Sequence, residues 1–509
     1  MRCWSLFCGA CAGLLLASWV VRAQQDEPQY TVEDIRYGQD LARALHDIAD
    51  KYVLPVRPGK LGAVALRGLY ERAGVPLPAE LRNDLPDDRG QLERALARGR
   101  HVLGNRSPVR FDMAVRASLE AVLQSLDPHC VYLTLEEYQR HMGLQAPEGS
   151  PGLVFEERSA PGGLYVWQVI ADGPAHRAGI LPGDLLLKVD GQPLRNEPAS
   201  WIKQRLDGIL GSPVTLTFKR FASDQEYTVK LVRSTVQEDT VQGWSRAPDG
   251  TWNYWVAPVE RIAYVRLGTI AGDGTGGDTV AALRSVVFHI QEQGVRGLIL
   301  DLRDCPGGGL EAALQVAASF TSERILIRVR GRHGDDLPRV LPGSGKDSFA
   351  MAVLVSPETS GGGELIAACL QDYNRSVVIG QRTRGKGTVQ SILALQGSGR
   401  HAARLTTGLL VRPSGKNLHR FPESRPQDDW GVLPAPGYDI RMSPDLRRKL
   451  RRWRLEAESA ARADTPKAVI PLEPRDDPVL VEALAYFRKL LPARTQKKAA
   501  LLHPLRAQP

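Results

Sequence analysis

The stretch that decides the fold is Leu298-Ile-Leu-Asp-Leu-Arg303, running straight into Asp304-Cys305-Pro306-Gly307-Gly308-Gly309. A short, nearly unbroken apolar run bounded by turn residues reads as a strand buried on both faces. The glycines that follow open a turn ahead of a helix over residues 311–320. Such a turn leaves backbone N–H groups facing a ligand, and glycine lets a substrate carbonyl approach closely enough to be held as an oxyanion. Many strand–helix turns use glycine, so the turn needs company before it means chemistry.

Working outward, residues 262–267 read as a strand, 278–293 as a helix, 352–355 as a strand, 364–371 as a helix and 377–380 as a strand. Strands alternating with helices predict an α/β sheet with crossovers, whose ligand site lies at the carboxyl ends of the strands. Two further segments fall at such ends. Val353-Leu-Val-Ser-Pro-Glu-Thr-Ser360 leads into Gly361-Gly362-Gly363-Glu364, which opens a helix. A hydroxyl at a helix N-terminus meets free N–H groups that favour developing negative charge. Ser360 with Glu364 nearby is equally readable as a helix cap. Next, Gly385-Lys386-Gly387-Thr388-Val389-Gln390 sets a lysine between two glycines just after a buried strand. Drawn into an apolar site, such a lysine loses its proton more readily and becomes a base. The strand–loop–helix pattern of a phosphate-binding P-loop is missing.

Upstream, residues 152–235 change character to short alternating strands, such as 164–170 and 214–219, with a hairpin signal at Asp190-Gly191 and one helix around 199–208. Residues 31–147 read as helical: Val32, Ile35, Leu41, Leu45 and Ile48 keep helical spacing, and a second stretch from 110 to 126 stops at Asp127-Pro128. Pro147, Gly149, Pro151 and Gly152 mark a domain edge.

Taken in order, these elements resemble the carboxy-terminal processing, or tail-specific, serine peptidases. The likeness covers most of the chain. Ser125-Leu-Asp-Pro-His-Cys130, with Tyr132, Leu133, Glu136, Glu137 and Tyr138, is similar to the family's segment before its PDZ domain. Gly152, Leu153, Val154 and Phe155 resemble a PDZ carboxylate-binding loop, residues 173–193 the PDZ core, and residues 406–415 a strand pair closing the hydrolase core. The resemblance implies a multi-domain α/β protein: a helical region at 31–147, a PDZ domain at 150–235, a peptidase core at 258–440 and C-terminal helices at 441–509. It also implies a Ser–Lys mechanism on polypeptides bound by their free C-terminal tails, needing no cofactor or metal. Lys386 would be the base, Gln390 its orienting amide, and Gly307 an oxyanion donor.

One departure bears on all of this. The family's nucleophile segment reads S-A-S-A-S-E, and aligned on Glu364 and Lys386 its catalytic serine falls on Gly361. Ser360 stands one residue earlier, and Cys305 replaces the family's usual asparagine. Two readings stay open. In one, the triple glycine shifts the turn so that Ser360 attacks, with Gly307, Gly361 and Gly362 as oxyanion donors. In the other, the protein is a pseudo-peptidase that binds tails without cutting them. A Ser–His–Asp triad using His129 or His289 is the weaker alternative, since neither histidine has a catalytic context and His129 reads as part of a turn.

Composition reads as an ordinary globular chain rather than a disordered or fibrous one: 509 residues, 43% apolar and 24% charged, too long for one domain. Aromatics make up only 6%, which argues against carbohydrate-stacking or nucleic-acid surfaces. Residues 1–23 read as an export signal, with Arg2, an apolar run and Val21-Arg22-Ala23 before the cut, predicting an exported, periplasmic or cell-envelope protein. Outside that segment only Cys130, Cys305 and Cys369 remain, too few and too scattered for a disulfide framework or a zinc site. The basic run Arg447, Arg448, Lys449, Arg451, Arg452 and Arg454 reads first as a solvated helix face, with weak contact to an anionic membrane surface as the alternative.

Overall fold

The structure is a computed structural model. It describes residues 30–491, apart from 105–109, 143–147, 156–162, 171, 195–201, 203–204, 221–224, 237–238, 248–250, 273–277, 323, 346–348, 396–400 and 461–473. The expected signal at 1–23 lies outside the described residues. Among those described, no helix is long and apolar enough to cross a membrane.

The chain forms two compact units. One holds the described residues before 145 together with Gln390–Thr407; the other holds Gln145–Val389 and Gly408 onward. The first unit is built on helices α1 (Val32–Lys51), α2 (Pro58–Ala73), α3 (Arg89–Leu103) and α4 (Phe111–Leu126). Thr31 starts α1 by accepting the Asp34 N–H while Asp34 returns a bond to the Thr31 N–H. The buried stripe of α1 is Tyr37, Leu41, Leu45 and Ile48. Val32 and Ile35, counted into that stripe from their spacing, are 76% and 46% exposed. Helical spacing set their phase correctly only from the second turn onward. After α4 comes a strand that the helical pattern hid, β1 (Val131–Leu133), paired antiparallel with residues 402–404. Asp127 turns the chain into it, accepting N–H bonds from His129 at 2.7 Å and Cys130 at 3.2 Å. A short helix, α5 (Leu135–His141), follows.

The second unit opens with an antiparallel sheet in the order β2 (Leu153–Phe155), β3 (Leu164–Val169), β4 (Leu185–Val189), β5 (Pro213–Lys219), β6 (Glu226–Val232). The hairpin signal is real: Asp190 and Gly191 both take positive φ, as a tight two-residue turn demands. A one-turn helix, α6 (Pro174–Arg177), crosses between β3 and β4. Of the helix expected around 199–208, residues 202, 205 and 206 are helical, 199–201 and 203–204 lie outside the described residues, and Gly208 already belongs to a short strand.

Beyond it, β7 (Ile262–Leu267), α7 (Thr279–Glu292), β8 (Gly297–Asp301) and α8 (Leu310–Ala318) begin the alternating pattern. The antiparallel pair β9 (Ile325–Arg330) and β10 (Asp336–Leu341) interrupts it. It resumes with β11 (Ala350–Val355), α9 (Gly362–Asp372) and β12 (Val377–Gly380). The strands β7, β8, β11 and β12 are parallel neighbours in that order. Every residue of β7 and β8 is buried, which requires cover on both faces. On one face Leu298, Leu300, Val353 and Val355 pack with α7, α8 and α9. On the other, Ile299, Ala352 and Leu354 pack with Leu450, Val479, Leu480, Leu484 and Phe487. Those last residues come from α10 (Pro444–Ala460) and α11 (Pro478–Leu490), so the C-terminal helices form the third layer of this sheet. Strands β13 (Thr388–Ala394) and β14 (Ala402–Val411) complete the order.

Candidate active site

Three loops meet at the carboxyl ends of β8, β11 and β12. The first leaves β8 as a tight turn in which the Cys305 N–H donates to the Leu302 carbonyl at 3.1 Å and Asp304 takes φ +64°. It continues to Gly307, whose carbonyl accepts from the Ile270 N–H at 3.1 Å. A Cβ on Gly307 would lie 2.6 Å from the Gly362 nitrogen and 2.8 Å from the Ser360 carbonyl. Glycine is needed there because two backbones touch.

The second loop, after β11, is held to the first at two points. The Thr359 hydroxyl donates to the Leu302 carbonyl at 2.9 Å, and the Ser360 N–H donates to the Cys305 carbonyl at 2.9 Å. Gly361 then takes φ +54°, ψ −116°, and stands as the N-cap of α9. Its own N–H is taken by the Glu364 carboxylate at 3.0 Å. Two sequence expectations change here. The cap position belongs to Gly361 rather than Ser360, and the Gly361 N–H, counted as an oxyanion donor, is already engaged. The Gly362 N–H is a better candidate: it makes no hydrogen bond among the described residues, and the Gly308 nitrogen lies 3.4 Å from where a Gly362 Cβ would stand.

The third loop carries Lys386, and Glu364 organises it. This carboxylate, 0% exposed, accepts the Thr383 hydroxyl at 2.6 Å, the Gly385 N–H at 2.6 Å and the Lys386 N–H at 2.7 Å, besides that of Gly361. Burial pushes its carboxyl up from the ordinary range, against the pull of those four donors. The Arg384 N–H adds a bond to the Thr359 carbonyl at 3.0 Å, and the carbonyls flanking Lys386, on Gly385 and Gly387, accept from Arg420 and Leu410 N–H groups, each at 2.8 Å. Lys386 itself is half-buried. Sequence reasoning saw Glu364 only as a capping signal. Its span of more than 20 residues to the lysine loop has no local signature.

Ser360 is 4% exposed, and among the described residues its hydroxyl makes no hydrogen bond, with Lys386 or any other group. Gln390 lies in the first compact unit, where its amide donates to the Thr406 hydroxyl at 3.4 Å. A Cβ added to Gly361 would find the Pro306 carbonyl at 3.5 Å and the Gly307 Cα at 3.9 Å, ordinary contacts on the side of the glycine turn. The position that aligns with the family's serine is therefore roomy, aimed at the first loop, and without a side chain.

Neighbouring groups take structural roles. The Cys305 thiol is fully buried, which pushes it up to about 11, while the Gly307 N–H is directed at its sulfur. Cys130, Cys305 and Cys369 are all free and buried. His129 sits in the Asp127 turn, and His289 pairs with Gln293 one turn along α7. Among the described residues no three His, Cys, Asp or Glu side chains gather as a metal-binding group. In the PDZ-like sheet, β2 is an edge strand that among the described residues pairs with β3 alone. Gly152 leads into it at φ +81°, its carbonyl accepting from the Ile170 N–H at 3.0 Å, and Leu153, Val154 and Phe155 stay half-buried. The basic helix α10 is not simply a solvated face. Arg447 bonds Glu358 at 3.2 Å, and Arg454 reaches Asp301 at 3.3 Å and Asp304 at 3.4 Å, while Arg448, Lys449 and Arg452 are exposed.

Comparison with known proteins gives a consistent picture. Residues 261–423 match the model of peptidase family S41, and residues 165–220 match a PDZ domain model. The chain is 30% identical over 380 residues to the carboxy-terminal-processing protease of Bartonella bacilliformis, covering 74% of this chain and 82% of that protein. It is 29% identical over 339 residues to the chloroplastic carboxyl-terminal-processing peptidase 3 of Arabidopsis thaliana, covering 64% of this chain and 61% of that one. Among solved structures, a photosystem II D1 C-terminal processing protease matches with a TM-score of 0.47 and 21% identity, over 82% of this chain and 94% of that one.

Proposed function

The chain belongs to the carboxy-terminal-processing serine proteases of family S41, with a PDZ domain in its make-up, and from that premise we propose that it is a tail-binding member whose hydrolytic centre has lost its nucleophile. The observation that carries this reading is Gly361: the residue facing the glycine turn bears no side chain, and the adjacent Ser360 is buried with no hydrogen bond from its hydroxyl among the described residues. For Ser360 to serve instead, its hydroxyl would have to move by about 3.3–3.8 Å, one residue along the chain, more than a hydrogen bond tolerates. That shift would break the Ser360–Cys305 backbone bond that joins the first two loops.

Tail binding falls to the PDZ domain, assigned to 150–235. A free carboxylate would rest on the N–H groups of Leu153 and Val154, and the tail would add to the open edge of β2 as a further strand. The unfolded polypeptide would then lie along the peptidase core at 258–440, against Gly307, Gly362 and Lys386. Export by the signal at 1–23 would put this activity in the periplasm or cell envelope, on polypeptides there.

The test uses protein from Gln24 onward and an unfolded substrate with an apolar C-terminal tail, with and without an amidated terminus. The expected outcome is binding that needs the free carboxylate, falls at least tenfold in Val154→Pro, and is followed by no cleavage. Cleavage by the wild type that disappears in both Ser360→Ala and Lys386→Ala would overturn the reading and establish a displaced Ser–Lys pair.

A further inference from the structure

The turn that carries the glycine donors is gripped from behind by the C-terminal helices, which lie beyond the residues 261–423 matched by the family model. Asp301, the last residue of β8, is 0% exposed. It accepts the Tyr264 hydroxyl at 2.6 Å and the Arg303 guanidinium at 2.6 Å and 3.0 Å. Arg303 is 2% exposed and spends its remaining arm on Asp477 at 2.8 Å. Asp477 is also the N-cap of α11, accepting the Val479 and Leu480 N–H groups. From α10, Arg454 bridges Asp301 and Asp304, and Arg447 holds Glu358 on the second loop.

We infer that the C-terminal segment is a working part of the site: Asp477 and Arg454 are positioning residues that set the Leu302–Cys305 turn, and through it Gly307, Gly308 and Ser360. The route is continuous. The Leu302 and Cys305 carbonyls are the two acceptors that receive Thr359 and Ser360. Between them sits Asp304 at φ +64°, a conformation that costs a non-glycine residue roughly 1–3 kcal/mol, and its carboxylate is the one that Arg454 holds. A buried guanidinium shared between two carboxylates resists change because removing one partner leaves charge stranded without water. The turn is thus fixed at the end of β8 from the α10 and α11 side. This inference does not depend on whether Gly361 or Ser360 occupies the nucleophile's place.

Hydrogen exchange of the mature chain tests it. Asp477→Asn keeps a good helix cap while taking the charge from Arg303, and Arg454→Gln loosens the same turn from the other helix. In each variant the hydrogen-bonded amides of Asp304, Cys305 and Gly309 should exchange roughly 100-fold faster, with residues 164–189 unchanged. The reference is wild type in urea at a concentration matching the variant's global stability, where those three amides should stay protected. Unchanged protection of all three in both variants, or equal loss in the stability-matched wild type, would overturn the inference.

Discussion

Gly361→Ser is the substitution that interrogates the site most directly. Two quantities in the structure set its outcome. The backbone at 361 has φ +54°, ψ −116°, outside the left-handed helical region, where a side chain costs roughly 1–3 kcal/mol, so the variant should fold with a loss of stability of about that size. Space is no obstacle, since the new Cβ meets nothing closer than 3.5 Å. Its hydroxyl would stand on the side of Gly307 and Gly362, with the Lys386 loop already fixed by Glu364. In a serine hydrolase with its other groups in place, the nucleophile is worth about 10^6 in kcat. An oxyanion site short of one donor, as the engaged Gly361 N–H implies here, gives back about 10^2–10^3. Cleavage of an unfolded, tail-bearing substrate should therefore rise at least about 10^3-fold above background. A serine-directed fluorophosphonate should label the variant at residue 361. Adding Lys386→Ala should abolish the gain, whereas adding Ser360→Ala should leave it. A folded Gly361→Ser protein that neither cleaves nor labels would refute the claim that Gly361 marks a lost nucleophile.

Two other outcomes follow from the buried carboxylate of Glu364 and the half-buried one of Asp127. Glu364→Gln puts an amide NH2 where one oxygen now accepts two donors, so two buried N–H or O–H groups lose their acceptor at roughly 1–3 kcal/mol each; urea unfolding should show a loss of about 2–6 kcal/mol, and a change below 1 kcal/mol would contradict the hub role assigned to this residue. Burial alone would raise the Asp127 carboxyl, but bonds from the His129 N–H, the Cys130 thiol and the Thr406 and Tyr52 hydroxyls bring it below its ordinary value. A depressed acid stabilises the fold above its unfolded pKa, about 3.9, and that contribution fades as pH falls through the lower, folded value. The urea midpoint of the wild type should therefore exceed that of Asp127→Asn at pH 6, with the gap closing below about pH 4. A gap that is the same at pH 3 as at pH 6 would count against it.

The parallel sheet was legible because its signal is local. Strands buried on both faces must be short and almost wholly apolar, and 262–267, 298–302 and 377–380 announce themselves within a residue of where they lie. What the pattern could not carry was partnership across long separations. Residues 131–133 look like the tail of a helical region, and only their pairing with 402–404 makes them a strand. The arginines of α10 read as solvated because the carboxylates that hold them, Asp301, Asp304 and Glu358, stand roughly 90–150 residues earlier in the chain. The apolar stripe of α11 was plain, yet nothing in it said that Leu480, Leu484 and Phe487 cover the second face of the sheet.

At the site the limit is sharper, and it concerns a single residue. The sequence places a hydroxyl at 360 and three glycines after it, and glycine leaves open which residue bends the chain. The structure gives the bend to Gly361, and three constraints fix it there: the Ser360 N–H on the Cys305 carbonyl, the Gly361 N–H on Glu364, and the contact of Gly307 with the Gly362 nitrogen. The first and third tie this turn to the Gly307 loop and the second ties it to α9, so a slip of one residue would break two hydrogen bonds and spoil a close backbone approach. On the reading proposed above, the bonds that hold Ser360 where it stands also leave position 361 open. A turn whose glycines had become freely mobile would have no reason to retain the Glu364 hub, the Thr359–Leu302 bond or the lysine between two glycines. On the tail-binding reading proposed above, these bonds hold the surface around position 361 in one register for a polypeptide.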